Sequence, residues 1–186
     1  MQNFSPEQVD MVTVLAPGLK LEPDEKILVG DFLCGFEGVY GQALALPAGL
    51  YQVTLRQINE GDWGDRYWCL TVTPRTAGSY QIDWESPALA TVGVDAGVVG
   101  VGRARILQAR FAGQASKVSD LLLAELEENG QPNEGVCRVL GRGAEIWWCQ
   151  SGYGDGLYEV RSVLDLASPN RLCGLAVIFI APGEED

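Results

Sequence analysis

Leu50–Thr73, LYQVTLRQINEGDWGDRYWCLTVT, decides the fold class. In its first part Tyr51, Val53, Leu55 and Gln57 fall on one face, and Leu50, Gln52, Thr54 and Arg56 on the other. That period of two is the signature of a half-buried strand. Arg66–Thr73 (RYWCLTVT) is a second strand, rich in aromatic and β-branched residues. Glu60–Asp65 between them is a glycine-aspartate loop, so the stretch reads as an antiparallel hairpin with a long connection. Pro47-Ala48-Gly49 supplies the turn before it.

The reading extends outward from this hairpin. Toward the N-terminus, Lys26–Phe36 (KILVGDFLCGF) is strand-prone with glycine breaks. Further back, Ser5-Pro6-Glu7-Gln8 carries helix-start chemistry, with Ser5 as cap, Pro6 in the first turn and Gln8 completing a capping box. A short helix ending near Leu15 is expected, stopped by Pro17-Gly18, with residues 1–20 as helix and lead-in. Toward the C-terminus, Pro74–Pro87 reads as a long surface connection, and Ala112–Ser116 as another. Ala90–Val101 (ATVGVDAGVVGV) is expected to be one buried strand, bent or bulged at Gly97. Arg105–Arg110 either extends it or begins a loop. Ser116–Asn129 is the one long helix, with Ser116 or Ser119 as cap, Val118, Leu121, Leu122 and Leu126 as its apolar stripe, and Gly130 as stop. Gly135–Val139, Glu145–Gln150, Leu157–Leu164 and Leu172–Ile180 give four more strands, and 181–186 a frayed tail.

Strands outnumber helices and the βαβ rhythm is missing. The expectation is a mainly-β, α+β fold: an antiparallel sandwich or curled sheet with one or two peripheral helices, forming one domain over residues 1–186. A hydrophobic fraction of 47% supplies a sizeable core.

Composition narrows function. Net charge is −12, from 25 acidic and 13 basic residues. Nucleic-acid binding, which relies on Lys and Arg displacing counterions, is disfavoured, as is an anionic membrane surface. The balance suits a basic protein partner, or solubility alone. Apolar runs fall short of the about 20 residues a membrane helix needs. The chain has no histidine. Ser-His-Asp and Cys-His machinery and histidine-based zinc sites are therefore ruled out. The five cysteines include no CxxC pair, and the opening MQNFSPEQVD lacks a basic or apolar leader segment. Reduced thiols in the cytoplasm are expected, with no cofactor and no metal.

Two segments remain for ligand chemistry. In Val92–Gly97 (VGVDAG), Asp95 sits in a run of small apolar residues. It either caps a turn near Gly97 or serves as a ligand or acid–base group. Ser151–Gly156 (SGYGDG) packs three glycines around Asp155, as a tight loop does when its backbone lies against a ligand, an ion or another strand. Both aspartates flank apolar strands, so a shared ion or proton is conceivable if they meet at one sheet end. Trp63-Gly64-Asp65 and Tyr153-Gly154-Asp155 also echo each other, each preceding a strand. Duplication or plain turn chemistry accounts for that echo. Of the five tryptophans, Trp147 and Trp148 are adjacent in a strand and must face opposite ways, one into the core and the other out or under a loop. Trp63, Trp84, Trp147 and Trp148, with Asp65, are the candidates for a partner-binding surface; an aromatic core is the competing account.

At Val94-Asp95-Ala96-Gly97 and Ser151–Tyr158 (SGYGDGLY) the chain resembles a bacterial family known as domain of unknown function 4241. The upstream strand Pro47–Val53 and the last apolar strand Gly174–Phe179 fit the same pattern, while Glu159-Val160 stands where the family continues with an aromatic pair. The resemblance marks Asp95, Gly97, Gly154, Asp155, Gly156 and Tyr158 as family positions and implies no established catalytic residue. Similar proteins occur among toxin–antitoxin and secretion-associated sets, where small acidic proteins act as immunity partners. The expectation is a non-enzymatic bacterial binding module, with an immunity protein as its specific form. The alternative is a carboxylate-based, ligand- or cation-binding enzyme using Asp95 and Asp155.

Overall fold

A computed structural model describes residues 11–181 except 77 and 131. Among the described residues, twelve strands form two antiparallel sheets, and two α-helices lie on one of them. The strands are β1 (Met11–Leu21), β2 (Lys26–Gly30), β3 (Gly41–Ala45), β4 (Gly49–Asn59), β5 (Asp65–Pro74), β6 (Tyr80–Ile82), β7 (Ala90–Val94), β8 (Val98–Arg103), β9 (Glu134–Cys137), β10 (Ile146–Gln150), β11 (Gly156–Asp165) and β12 (Ser168–Ile178). The helices are α1 (Ala104–Phe111) and α2 (Ala115–Glu128). The seven-stranded sheet runs β1-β4-β5-β12-β11-β6, with β7 on the other half of β11. The five-stranded sheet runs β3-β2-β8-β10-β9. The chain is thus the mainly-β, antiparallel α+β sandwich that its alternation indicates.

The hairpin read from Leu50–Thr73 is the β4–β5 pair, which contains a bulge at Arg56/Gln57. Its Val53, Leu55, Leu70 and Val72 face the inter-sheet core. From the other sheet, Ile27, Val29, Val99, Val101, Trp147 and Cys149 close that core. The alternate residues Leu28, Val98, Ile146 and Trp148 point the other way, into a second core under the helices with Leu107, Phe111, Val118, Leu122 and Leu126. Layers therefore stack as helices, five-stranded sheet, seven-stranded sheet. The five-stranded sheet is packed on both faces, while among the described residues no helix lies on the outer face of the other.

Val98–Arg103 shows why glycines alternate with valines. A Cβ on Gly100 would lie 2.5 Å from Ile146 Cγ2, and one on Gly102 2.6 Å from Leu107 Cδ1. Val99 and Val101 fill the inter-sheet core, and the glycines let Phe32 and α1 press onto the outer side.

Several expectations need correction. Met11–Leu15 is strand, not helix: Val12-Thr13-Val14 is β-branched, and it pairs in register with Arg56, Leu55 and Thr54 of β4. The proposed helix start at Ser5–Gln8 lies outside the described residues, as does 182–186 of the tail. Ala90–Val101 is not one bent strand. It breaks at Asp95-Ala96-Gly97, where Gly97 has φ +67°, into β7 of one sheet and β8 of the other. Arg105–Arg110 is neither strand nor loop but most of α1, whose Ala104, Leu107 and Phe111 are buried. In α2 the N-cap is Gln114 rather than Ser116 or Ser119, and Leu121 is exposed. The short strands β3 and β6 carry no strong sequence pattern, and β6 interrupts the expected surface connection Pro74–Pro87.

Candidate functional site

Strand direction assembles the site. β5 and β11 each pair antiparallel with β12, so they run parallel to one another on either side of it. Their leading loops, Trp63-Gly64-Asp65 and Tyr153-Gly154-Asp155, therefore stand at the same end of the sheet, two strand spacings or about 10 Å apart. Both glycines have positive φ, +73° for Gly64 and +99° for Gly154, a conformation that excludes most side chains. The Tyr153 hydroxyl donates to Glu60 Oε2 at 2.8 Å and joins the two loops. Trp63 is 70% exposed and Tyr153 56%. Ser151 Oγ and Tyr158 Oη both donate to Gly154 O, at 2.6 and 2.8 Å, and hold the second loop from beneath.

β7 ends at the same edge. Val94 pairs with Gly156, which sets Asp95 and Asp155 across from each other at the mouth of the β7–β11 pair. Both are exposed. Asp62, Asp65, Asp95 and Asp155, with half-buried Glu60, make this end strongly acidic, while Arg66 donates Nε to Trp63 O at 3.1 Å. Asn59 Nδ2 donates to Asp65 Oδ1 at 2.9 Å, bracing the first loop.

The residue that organises the edge was not among the sequence candidates. Asp31 is fully buried. Its Oδ1 accepts the backbone N–H groups of Leu33 and Cys34 at 3.0 and 3.1 Å, and its Oδ2 those of Asp95 and Ala96 at 2.9 and 2.8 Å. One carboxylate thus ties the turn after β2 to the turn that sends the chain from one sheet to the other. Its sequence signal is the one used for Asp95, a lone acid in an apolar run, here KILVGDFLCGF. The half-buried Cys34 thiol is pushed up to about 12, first by burial and then by the Asp31 carboxylate, with Asp95 and Asp155 adding to it. It is a protonated thiol at neutral pH and no nucleophile. Among the described residues no group of three or more Cys, Asp or Glu is arranged to hold a metal ion.

No family model, curated protein or solved structure matches this chain.

The remaining candidates separate by burial. Trp147 and Trp148 do face opposite ways, but at 3% and 2% exposure both are core, because the five-stranded sheet is covered on both sides. They offer nothing to a partner. Trp147 belongs to the inter-sheet core, where its indole N–H donates to Pro17 O at 2.6 Å; Trp148 packs 5.8 Å from Phe32 under the helices. Trp84 lies away from the acidic end, on the outer face of the seven-stranded sheet beside Arg161. Gly97 and Gly156 shape the Asp95–Asp155 mouth rather than contact anything across it. No helix among the described residues is long and apolar enough to cross a membrane.

Proposed function

We propose that the chain is a non-enzymatic binding module that holds a basic protein at the acidic, aromatic end of its seven-stranded sheet. The supporting observation is the Tyr153–Glu60 hydrogen bond, which fixes two exposed aromatic loops side by side among carboxylates. Rigid aromatics supply contact area at low entropic cost, and surrounding acids steer a cationic partner. The resemblance to domain of unknown function 4241 supports a bacterial, cytoplasmic immunity protein as the specific form, one that covers a toxin's functional face.

The test is capture of the protein encoded beside this one by the tagged chain. Capture that weakens at least about 30-fold in Trp63→Ala/Tyr153→Ala, with unchanged melting temperature, supports the reading. Undiminished capture by that variant, or no complex with the neighbour-encoded protein at all, refutes it.

The Asp95–Asp155 mouth favours a second reading, a carboxylate site for a cation or ligand. Two exposed carboxylates without a third donor make a weak cation site, so this reading ranks second. It requires calcium or magnesium to raise the melting temperature, and Asp95→Asn/Asp155→Asn to abolish that rise.

A further inference from the structure

On β11, Tyr158 and Val160 alternate into the inter-sheet core, so positions 157, 159 and 161 point the other way and are expected to be polar. Glu159 and Arg161 follow that rule. Leu157 breaks it, and it is 73% exposed. Its cross-strand partner is Gly93 on β7. Such partners project to the same face, with Cβ positions about 4.5–5.5 Å apart. A Cβ on Gly93 would lie 3.3 Å from Val39 Cγ2 and 3.2 Å from Tyr40 Cδ1. Leu157 and Val39 therefore flank the same glycine. Val39, carried on the single 3-10 turn Gly38–Tyr40, is 60% exposed.

This apolar pair adjoins the acidic mouth. Asp95 lies two residues beyond Gly93 and Asp155 two residues before Leu157, so the mouth is the next feature along the same two strands. Glu37, two residues before Val39, is exposed as well. Among the described residues, the four most exposed large apolar side chains are Leu157, Trp63, Val39 and Tyr153. All four stand at this one end of the sandwich, among Glu37, Asp62, Asp95 and Asp155. None of them belongs to either core. Exposed apolar side chains gathered at one place, rather than scattered singly, mark an interaction surface.

We propose that Leu157 and Val39 form an apolar shoulder of the protein interface, on which the partner seats an apolar side chain carried between basic ones. The proposal rests on the reading of the acidic end as a protein-binding surface, and adds what the partner presents there. Covering the two side chains supplies the non-polar contact of an interface core, and the carboxylates around them supply a rim that pairs with cations. A second copy of this chain is a poor occupant. Its own shoulder is bordered by the same acids, and each chain carries net charge −12. A basic segment with an apolar residue in its midst satisfies both the shoulder and the rim.

The test measures by calorimetry the affinity of the protein encoded beside this one for the intact chain and for Val39→Ser/Leu157→Ser. Expected is a loss of at least about tenfold at unchanged melting temperature, and of similar size at low and high salt, because the missing contact is apolar. Leu157→Met keeps an apolar side chain and should bind within about threefold of the parent. Asp95→Asn/Asp155→Asn should weaken binding at low salt and have little effect at high salt. A complex that Trp63→Ala/Tyr153→Ala weakens and Val39→Ser/Leu157→Ser leaves intact overturns the shoulder while the interface reading stands. No complex, or one insensitive to both variants, overturns both. Sedimentation showing that the chain alone dimerises, and that Val39→Ser/Leu157→Ser abolishes the dimer, makes a second copy the occupant and overturns the assignment to a basic partner.

Discussion

Replacing Asp31 by Asn probes the bond set that joins the two sheets at the candidate site. Aspartate accepts four backbone N–H groups there, two on each oxygen, at 2.8–3.1 Å. Asparagine is nearly the same size but has one accepting oxygen. It can keep one pair of bonds, and its NH2 then faces the two N–H groups of the other pair. A buried donor left without a partner costs about 1–3 kcal/mol, so two cost about 2–6 kcal/mol. That is a large share of the 5–15 kcal/mol typical of a folded domain. In urea unfolding with a slope of about 2 kcal/mol/M, the midpoint should fall by roughly 1–3 M with the slope unchanged. Asp62→Asn, on the exposed first loop, is the control and should stay within about 0.5 kcal/mol of the parent. If Asp31→Asn unfolds within the scatter of that control, the clamp is not holding the edge and the account of Asp31 fails.

Two further perturbations test the packing and the thiols. Gly102→Ala places a Cβ 2.8 Å from Glu145 O, a backbone atom that cannot rotate away, and should cost about 1–3 kcal/mol by chemical denaturation; Gly49→Ala, whose Cβ would meet only Tyr51 Cε2 at 3.8 Å, should be near neutral. Equal midpoints for the two variants would refute the close approach of helix and sheet. Cys34 and Cys137 are each raised from 9.0 to about 12, chiefly by burial. A raised thiol is more readily protonated in the folded chain, so its contribution to stability is whole below pH 9 and lost as pH climbs from there toward 12. Melting temperature should hold to about pH 9 and then fall, and Cys34 should react with iodoacetamide at pH 8 slower than free cysteine by on the order of a hundredfold or more. Rapid labelling of Cys34 in the folded chain would contradict this.

What the sequence revealed, and what it hid, follows from how local each signal is. Period-two alternation announced β4, because its inward face repeats every second residue, while β5, β10, β11 and β12 lie in apolar, aromatic or β-branched stretches read as strands. α2 was legible from its stripe Val118, Leu122 and Leu126. α1 was not: it follows β8 directly, has Arg103 at its N-cap with no side-chain cap bond, and alternates arginines with its buried residues. The paired tryptophans were read correctly as facing opposite ways, but nothing local says that a sheet is covered on both sides. Asp95 and Asp31 show the same limit. Each is an acid in an apolar run, and the one singled out proved exposed while the unnoticed one is the buried acceptor. Burial of a carboxylate depends on which donors the tertiary fold brings to it, here the N–H groups of residues 95 and 96, 64 and 65 positions away.

The layering also decides where recognition can occur. The five-stranded sheet spends both faces on core, one on its partner sheet and one on the helices. The strand ends of the seven-stranded sheet are among the described surfaces that this layering leaves open to other molecules. The strand ends gather Glu60, Asp62, Asp95 and Asp155, so this end of the sheet seeks cations. The outer face is built from residues that the inward alternation leaves unused, since Leu55 and Val72 serve the core while Thr54 and Thr71, their immediate neighbours in sequence, pair across β4 and β5 on the other side.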